Sequence, residues 1–409
     1  MGREAHSRPR LGPILASLAA FVLLVALPAQ AAGQTLQTRL DRALAVPNVD
    51  PARTAALAVD LRTGAVVYSR NPSLALVPAS NAKVPVAYAA LSVLGTGYRF
   101  HTEVIGSGSL VGDVWNGPLY LRGHGDPTLK TEDLDALADE VAAWGIRRVS
   151  GAVVADESWF DARRTAPGWR SSFFITESPP LSALVVERGW YKGRTSRNPA
   201  LAAAALFRRA LEARGITVAK PTRTGVLPTI GLPLALDLSA PLAQIVRFMG
   251  RESDNYTAEI LVKQLGAVAA GKGTTGAGLA VVRRSLADAG VPLGGVRFAD
   301  GSGLSRLDRL TASSLVALLA AGLSDVEIRD AFVASLAVAG VNGTLKDRMR
   351  TRPARGRVLA KTGTTSLASA LSGFVRGRYA FAILQNGRPV STYWARRAQD
   401  RFATVLAAG

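Results

Sequence analysis

A chain of 409 residues with 48% hydrophobic and 19% charged content is too long for one ordinary core and too apolar for a disordered protein, so two or more folded domains are expected. It contains no cysteine, which excludes disulfides, thiolate zinc sites and cysteine nucleophiles. The net charge is +19, carried mainly by arginine, which raises nucleic acid, an anionic surface or plain compositional bias as readings.

The N-terminus decides among them. Arg3, Arg8 and Arg10 precede a nearly continuous apolar run over 11–27, then Pro28 and the small residues around Ala31. This reads as an export signal over 1–31 cleaved near Ala31, with an uncleaved anchor as the rival. Behind an export signal, no nucleic-acid partner is expected, and the positive charge suits an anionic cell wall or membrane surface. Residues 55–60 and 65–69, separated by Arg62-Thr63-Gly64, read as a β-hairpin. Pro78-Ala79-Ser80 opens a helix whose apolar face is Val84, Ala87, Tyr88, Leu91 and Leu94, ended by Gly95. From 101 to 234 the character changes. Strands are expected at 102–105, 118–122 and 149–155, helices at 132–143 and 200–214, and an irregular Pro/Ser/Trp-rich stretch at 165–199. From 235 onward helices are expected at 241–249, 255–265, 275–289, 311–323 and 325–336, then strands at 358–362, 371–375 and 379–384 and a closing helix at 392–406. Strands at both ends with helices between them suggest one sheet built from 33–100 and 235–409, with 101–234 as an inserted domain.

Three short motifs fall in order along this pattern: Ser80-Asn81-Ala82-Lys83, Ser253-Asp254-Asn255 and Lys361-Thr362-Gly363-Thr364. Chance would supply roughly 0.5 copies of Ser-x-x-Lys and roughly 0.05 of Lys-Thr-Gly in such a chain. Ser-x-Asn occurs three times, also at Ser69/Asn71 and Ser196/Asn198, so the ordered set carries the weight. Ser80 and Lys83 share a helix face. A serine hydroxyl needs a base, and a desolvated lysine near other cations can be one. A serine at a helix N-terminus also meets free N–H groups that favour an oxyanion. Ser253 reads either as a helix cap or as a hydroxyl relaying a proton, with Asn255 binding an amide carbonyl. Lys361 reads as an exposed strand lysine or as a cation that binds a carboxylate together with Thr362, and Gly363 would let a ligand approach the strand closely. A histidine triad could use only His101 or His124, and Gly123-His124-Gly125-Asp126 reads as a turn.

These motifs resemble the serine β-lactamase/penicillin-binding protein superfamily. Gly125-Asp126-Pro127-Thr128-Leu129, Ala258-Glu259, the run 300–306, Ala339-Gly340 and Gly343-Thr344-Leu345 narrow the resemblance to its low-molecular-mass D-alanyl-D-alanine carboxypeptidase/endopeptidase family, over essentially the whole mature chain. The resemblance implies an α/β (α+β) catalytic domain, an antiparallel sheet flanked by helices, with an α/β insert between the first two motifs. It implies that Ser80 is acylated by peptidoglycan peptides ending in D-Ala-D-Ala and by β-lactams, that Lys83 and Ser253 move protons, and that Asn255, Lys361, Thr362 and Gly363 bind substrate. The N–H groups of Ser80 and Thr364 would form the oxyanion hole. Asp156, Phe160 and Arg306 match positions near the substrate side chain. Asp156 equally reads as a strand-end turn residue, and Arg306 as a partner of Asp300 or Asp308. No metal or cofactor is implied. The insert looks short for the family, and Thr365 and Ser366 stand where some relatives carry an amide side chain. A β-lactamase and a non-catalytic wall-binding protein are the alternatives on the same fold.

Overall fold

The computed structural model describes residues 30–228 and 231–409. The expected export signal and its cleavage therefore lie almost wholly outside the described residues. Among the described residues no single helix is long and apolar enough to cross a membrane.

The first sheet has six antiparallel strands drawn from both ends of the chain. Their order is Ala337–Val338, Val358–Thr364, Ala368–Val375, Tyr379–Asn386, Thr54–Asp60 and Val66–Arg70. The inner strands are buried on both faces, which is why they read as continuous apolar runs. Period two still sorts their side chains. Along Tyr379–Asn386, Ala380, Ala382 and Leu384 face one core and Tyr379, Phe381 and Ile383 the other. The first core is roofed by helices Lys83–Leu94, Leu242–Glu252, Asn255–Ala270, Thr275–Asp288 and Ala312–Ser324. The second is closed by Gln30–Leu44 and Thr392–Ala408.

Most expected elements are present within a few residues, with two differences. The helix expected at 325–336 shrinks to Arg329–Ala334, because Ala337–Val338 is drawn out as the edge strand beside Leu359–Ala360. The strand expected at 149–155 is two, Arg148–Val149 and Val153–Asp156. The turn between them crosses from one small sheet to another at Gly151, where a Cβ would lie 2.4 Å from the carbonyl oxygen of Gly117.

The insert carries a five-stranded and a four-stranded sheet around a core that includes helices Thr131–Ala143 and Pro199–Ala213. Strand Leu232–Leu238 pairs with His101–Gly106 as far as Leu238, so the chain leaves this sheet after 238 rather than at 234. The insert is not a detached lobe. Phe160, Leu181, Ala183 and Val185 pack into the first core of the main sheet.

Phe402 is fully buried on the closing helix, edge-on to Tyr68 with ring centroids 5.1 Å apart. Phe402→Ala is expected to cost about 3–5 kcal/mol in urea unfolding; a loss below about 1 kcal/mol would show that this helix does not seal the second core.

Candidate active site

The first motif sits on a tight turn, Ala79–Ala82, that runs into helix Lys83–Leu94. Ala79 is in the left-handed region at φ 47°, strained for a residue with a Cβ. Three contacts impose that shape. The Asn81 amide donates to the backbone oxygen of Lys361 at 3.3 Å and accepts from the Ser372 hydroxyl. Gly303 lies so close that a Cβ would be 1.9 Å from the Ala79 oxygen. Gly363 faces the turn's backbone, where a Cβ would be 2.8 Å from the oxygen of Pro78 and 3.0 Å from the nitrogen of Ser80. The missing side chain at Gly363 thus lets the Ser80 turn close against the third-motif strand.

Lys83 is almost fully buried, 1% exposed. Its Nζ lies 3.1 Å from Ser80 Oγ, 2.9 Å from Asn255 Oδ1 and 2.6 Å from the Ser302 backbone oxygen. Asn255 donates its own NH₂ to the Glu177 oxygen at 2.9 Å, which sets the amide's orientation. Two of the three neighbours of Lys83 can only accept. A neutral Lys83 therefore donates to both and has its lone pair left for the Ser80 hydroxyl. Burial drives Lys83 down to about 8, with Asp300, Asp254, Glu259 and Asp308 partly offsetting it. Glu259 accepts from the N–H groups of Gly301 and Ser302 and so holds the loop that presents the Ser302 carbonyl. Burial, then Asp300, push Glu259 up to about 8.

Ser253 ends helix Leu242–Glu252 in the left-handed region, φ 61°. It does not cap the next helix. Asp254 does, accepting from Thr257 N–H at 2.7 Å. The cap reading of Ser253 is therefore corrected by one residue, and its hydroxyl is free to meet Lys361 Nζ at 2.8 Å. Lys361 is no exposed strand lysine. It is 1% exposed, and burial, then Lys83, hold it well below the ordinary lysine value. Thr362 Oγ1 lies 2.8 Å from Thr344 Oγ1, and exposed Thr364 accepts from Arg396. Ser80 and Asn255 thus meet at Lys83, and Ser253 meets Lys361, with the two amines near enough for Lys83 to act on Lys361 and with Thr362 and Thr364 along the open strand.

The insert forms one wall. Its irregular segment supplies the Glu177 oxygen to Asn255, Arg188 to Asp254 at 2.6 Å, and Trp169 Nε1 to Asp300 at 2.8 Å. Sequence reasoning left this segment unassigned, because nothing periodic marks a loop that acts through single contacts.

Asp156 and Phe160 are not brought to the cluster. Asp156 is buried at a strand end, accepts from the N–H groups of Ser158 and Leu227 and lies 3.7 Å from Arg122, all within the insert. Phe160 is buried, with its ring against Gly125 and Gly273. Asp156 thus satisfies N–H groups at its strand end, and Phe160 joins the first core of the main sheet. Arg306 is exposed on the loop after Ser302 and pairs with neither Asp300 nor Asp308. Those carboxylates accept instead from Trp169, Ser302, Gly303 and Ser305, and from the N–H groups of Ala299 and Asp300.

Among the described residues one histidine–carboxylate cluster stands out, His101, Glu103 and His124. The imidazoles are stacked at 3.7 Å, and both Nε2 atoms face the same Glu103 oxygen, His124 at 2.5 Å and His101 at 3.7 Å.

An antiparallel sheet with helices on both faces, and a serine beside a buried lysine at its edge, define a serine acyl-transfer site of the penicillin-binding class. The fold superposes on penicillin binding protein 4 (dacB) from Haemophilus influenzae with a TM-score of 0.79 at 21% identity, over 90% of this chain and 98% of that one. The sequence is 35% identical to a D-alanyl-D-alanine carboxypeptidase of Actinomadura sp. over 91% of this chain and 84% of that protein. It is 32% identical to carboxypeptidase DacB of Mycolicibacterium smegmatis, over 91% and 83%. Residues 36–197 and 191–408 match the D-Ala-D-Ala carboxypeptidase 3 (S13) family, and the chain belongs to that family.

Gly303→Ala would force a side chain into a left-handed position, φ 82°, against the Ala79 carbonyl. It is expected to cost about 1–3 kcal/mol and to move Ser80 off Lys83. Denaturant unfolding and a crystal structure of the variant check this; an unchanged Ser80–Lys83 distance would show that Gly303 does not position the turn.

Proposed function

We propose that the protein is a serine-type D-Ala-D-Ala carboxypeptidase acting on peptidoglycan peptides outside the cytoplasm. The observation that carries this reading is the Ser80–Lys83 pair, with Lys83 buried and its two other neighbours able only to accept. Neutral Lys83 takes the Ser80 proton as Oγ attacks the carbonyl of the penultimate D-alanine. The resulting oxyanion is held by the N–H groups of Ser80 and Thr364. Collapse breaks the peptide bond, and the leaving amine takes a proton relayed through Ser253, which Lys361 polarises at 2.8 Å. D-Alanine departs, its carboxylate having lain along the Lys361-Thr362-Gly363-Thr364 edge. Water then enters, gives a proton back through the same groups, and releases the shortened peptide.

Asn255 has two parts in this scheme, orienting Lys83 and facing the peptide backbone. β-Lactams acylate Ser80 as mimics of the scissile amide. The net charge of +19 suits attraction to an anionic wall.

Ser80→Ala is expected to abolish D-alanine release and to leave no benzylpenicillin adduct by intact-mass spectrometry. The wild type carries a stable adduct mapping to Ser80. Prompt consumption of the drug without an adduct would favour a β-lactamase, and an intact drug with no adduct a binding protein.

The pH dependence follows from Lys83, whose neutral form is the base. Below its value of about 8 it is mostly protonated. Acylation by benzylpenicillin should therefore rise about tenfold per unit from about pH 6 and level off near pH 8 to 9. A rate that falls over that range would exclude Lys83 as the base.

A further inference from the structure

The cation of the third motif is poorly placed to supply charge to an incoming anion. Lys361 is buried, and it already donates to Ser253 Oγ and to the Thr362 oxygen, each at 2.8 Å. Burial and the neighbouring Lys83 both disfavour its ammonium form. The Thr362 hydroxyl is engaged with Thr344. An anion reaching the open side of this strand therefore finds hydroxyl groups but little fixed charge.

Arg396 stands where that charge is missing. It projects from helix Thr392–Ala408, is exposed, and its Nη2 donates to Thr364 Oγ1 at 3.3 Å. A threonine oxygen that accepts from one side keeps its own proton to donate to an anion on the other. Among the described residues Arg396 forms no ion pair, whereas its neighbour Arg348 is held by Asp400 at 2.7 Å. Guanidinium holds its proton more firmly than a buried lysine, and it presents a fork that matches a carboxylate. Arg396 also borders an open cleft of about 930 Å³ whose charged lining is Arg348, Arg397 and Arg401 with Asp347 and Asp400.

We propose that Arg396 supplies the fixed positive charge that binds the carboxylate of the leaving residue and so sets the preference for a free C-terminus. This rests on the reading of Lys361-Thr362-Gly363-Thr364 as the carboxylate-binding edge. Arg396 is on that view a substrate-binding residue, with no part in moving protons. The guanidinium and the Thr364 hydroxyl would grip the carboxylate together, leaving Lys361 to polarise Ser253.

The test compares two acyl-D-alanyl thioesters that differ in one group, a mercaptoacetate leaving group with a carboxylate and an ethanethiol leaving group without one. The quantity read is the ratio of their kcat/KM values. The wild type should prefer the carboxylate ester. In R396A that preference should fall about tenfold or more, and R396K should restore part of it. R396Q provides a second neutral variant if R396A is poorly folded. An unchanged ratio in a folded neutral variant, equal losses on both esters, or no preference in the wild type would overturn the assignment. Turnover of neither ester by the wild type would instead overturn the carboxypeptidase reading, and this one with it.

Discussion

Two lysine ammonium groups are buried in one site, and much of the surrounding structure answers to that constraint. Neither Lys83 nor Lys361 has solvent to hydrate it, and an uncompensated buried charge is costly. The fold meets the cost in two ways. It lowers the proton affinity of both amines by burial, and that of Lys361 further by the neighbouring Lys83. It also surrounds Lys83 with acceptors and with the carboxyl groups of Asp300, Asp254, Glu259 and Asp308. The same arrangement that makes the amines tolerable brings Lys83 down to about 8, the range a base working near neutral pH needs.

Holding those acceptors in place explains features that otherwise look unrelated. Asp300 gathers the N–H groups of Gly303 and Ser305, and Glu259 those of Gly301 and Ser302. The loop so folded points one carbonyl at Lys83. Gly303 and Gly363 let this loop and the third-motif strand close on the nucleophile turn from two sides. The strained backbone at Ala79 and Ser253 sits where these segments converge, as expected where surrounding contacts over-determine a site.

The insert takes part in the same scheme. Its irregular stretch orients Asn255 through the Glu177 oxygen, and Asp254 and Asp300 through Arg188 and Trp169. Lys263, fully buried in the helix after the second motif, pairs with Asp161, just before that stretch. The insert therefore braces the electrostatic surroundings of Lys83 from outside the main sheet.

The sequence by itself determined the three motifs, their order, the hairpin, and most helices and strands, because these depend on local spacing, periodicity and capping. The motifs also carried the resemblance to the family that residues 36–197 and 191–408 match. Tertiary structure alone decided which segments meet. The Asn81–Lys361 and Lys83–Ser302 bonds join residues 280 and 219 positions apart, and no local pattern encodes such a pairing. Burial, which sets the proton affinity of Lys83, is likewise a property of the closed core. That is why Asp156 satisfies N–H groups within the insert while Phe160 packs into the first core of the main sheet, and why Arg396, which no motif marks, stands beside Thr364.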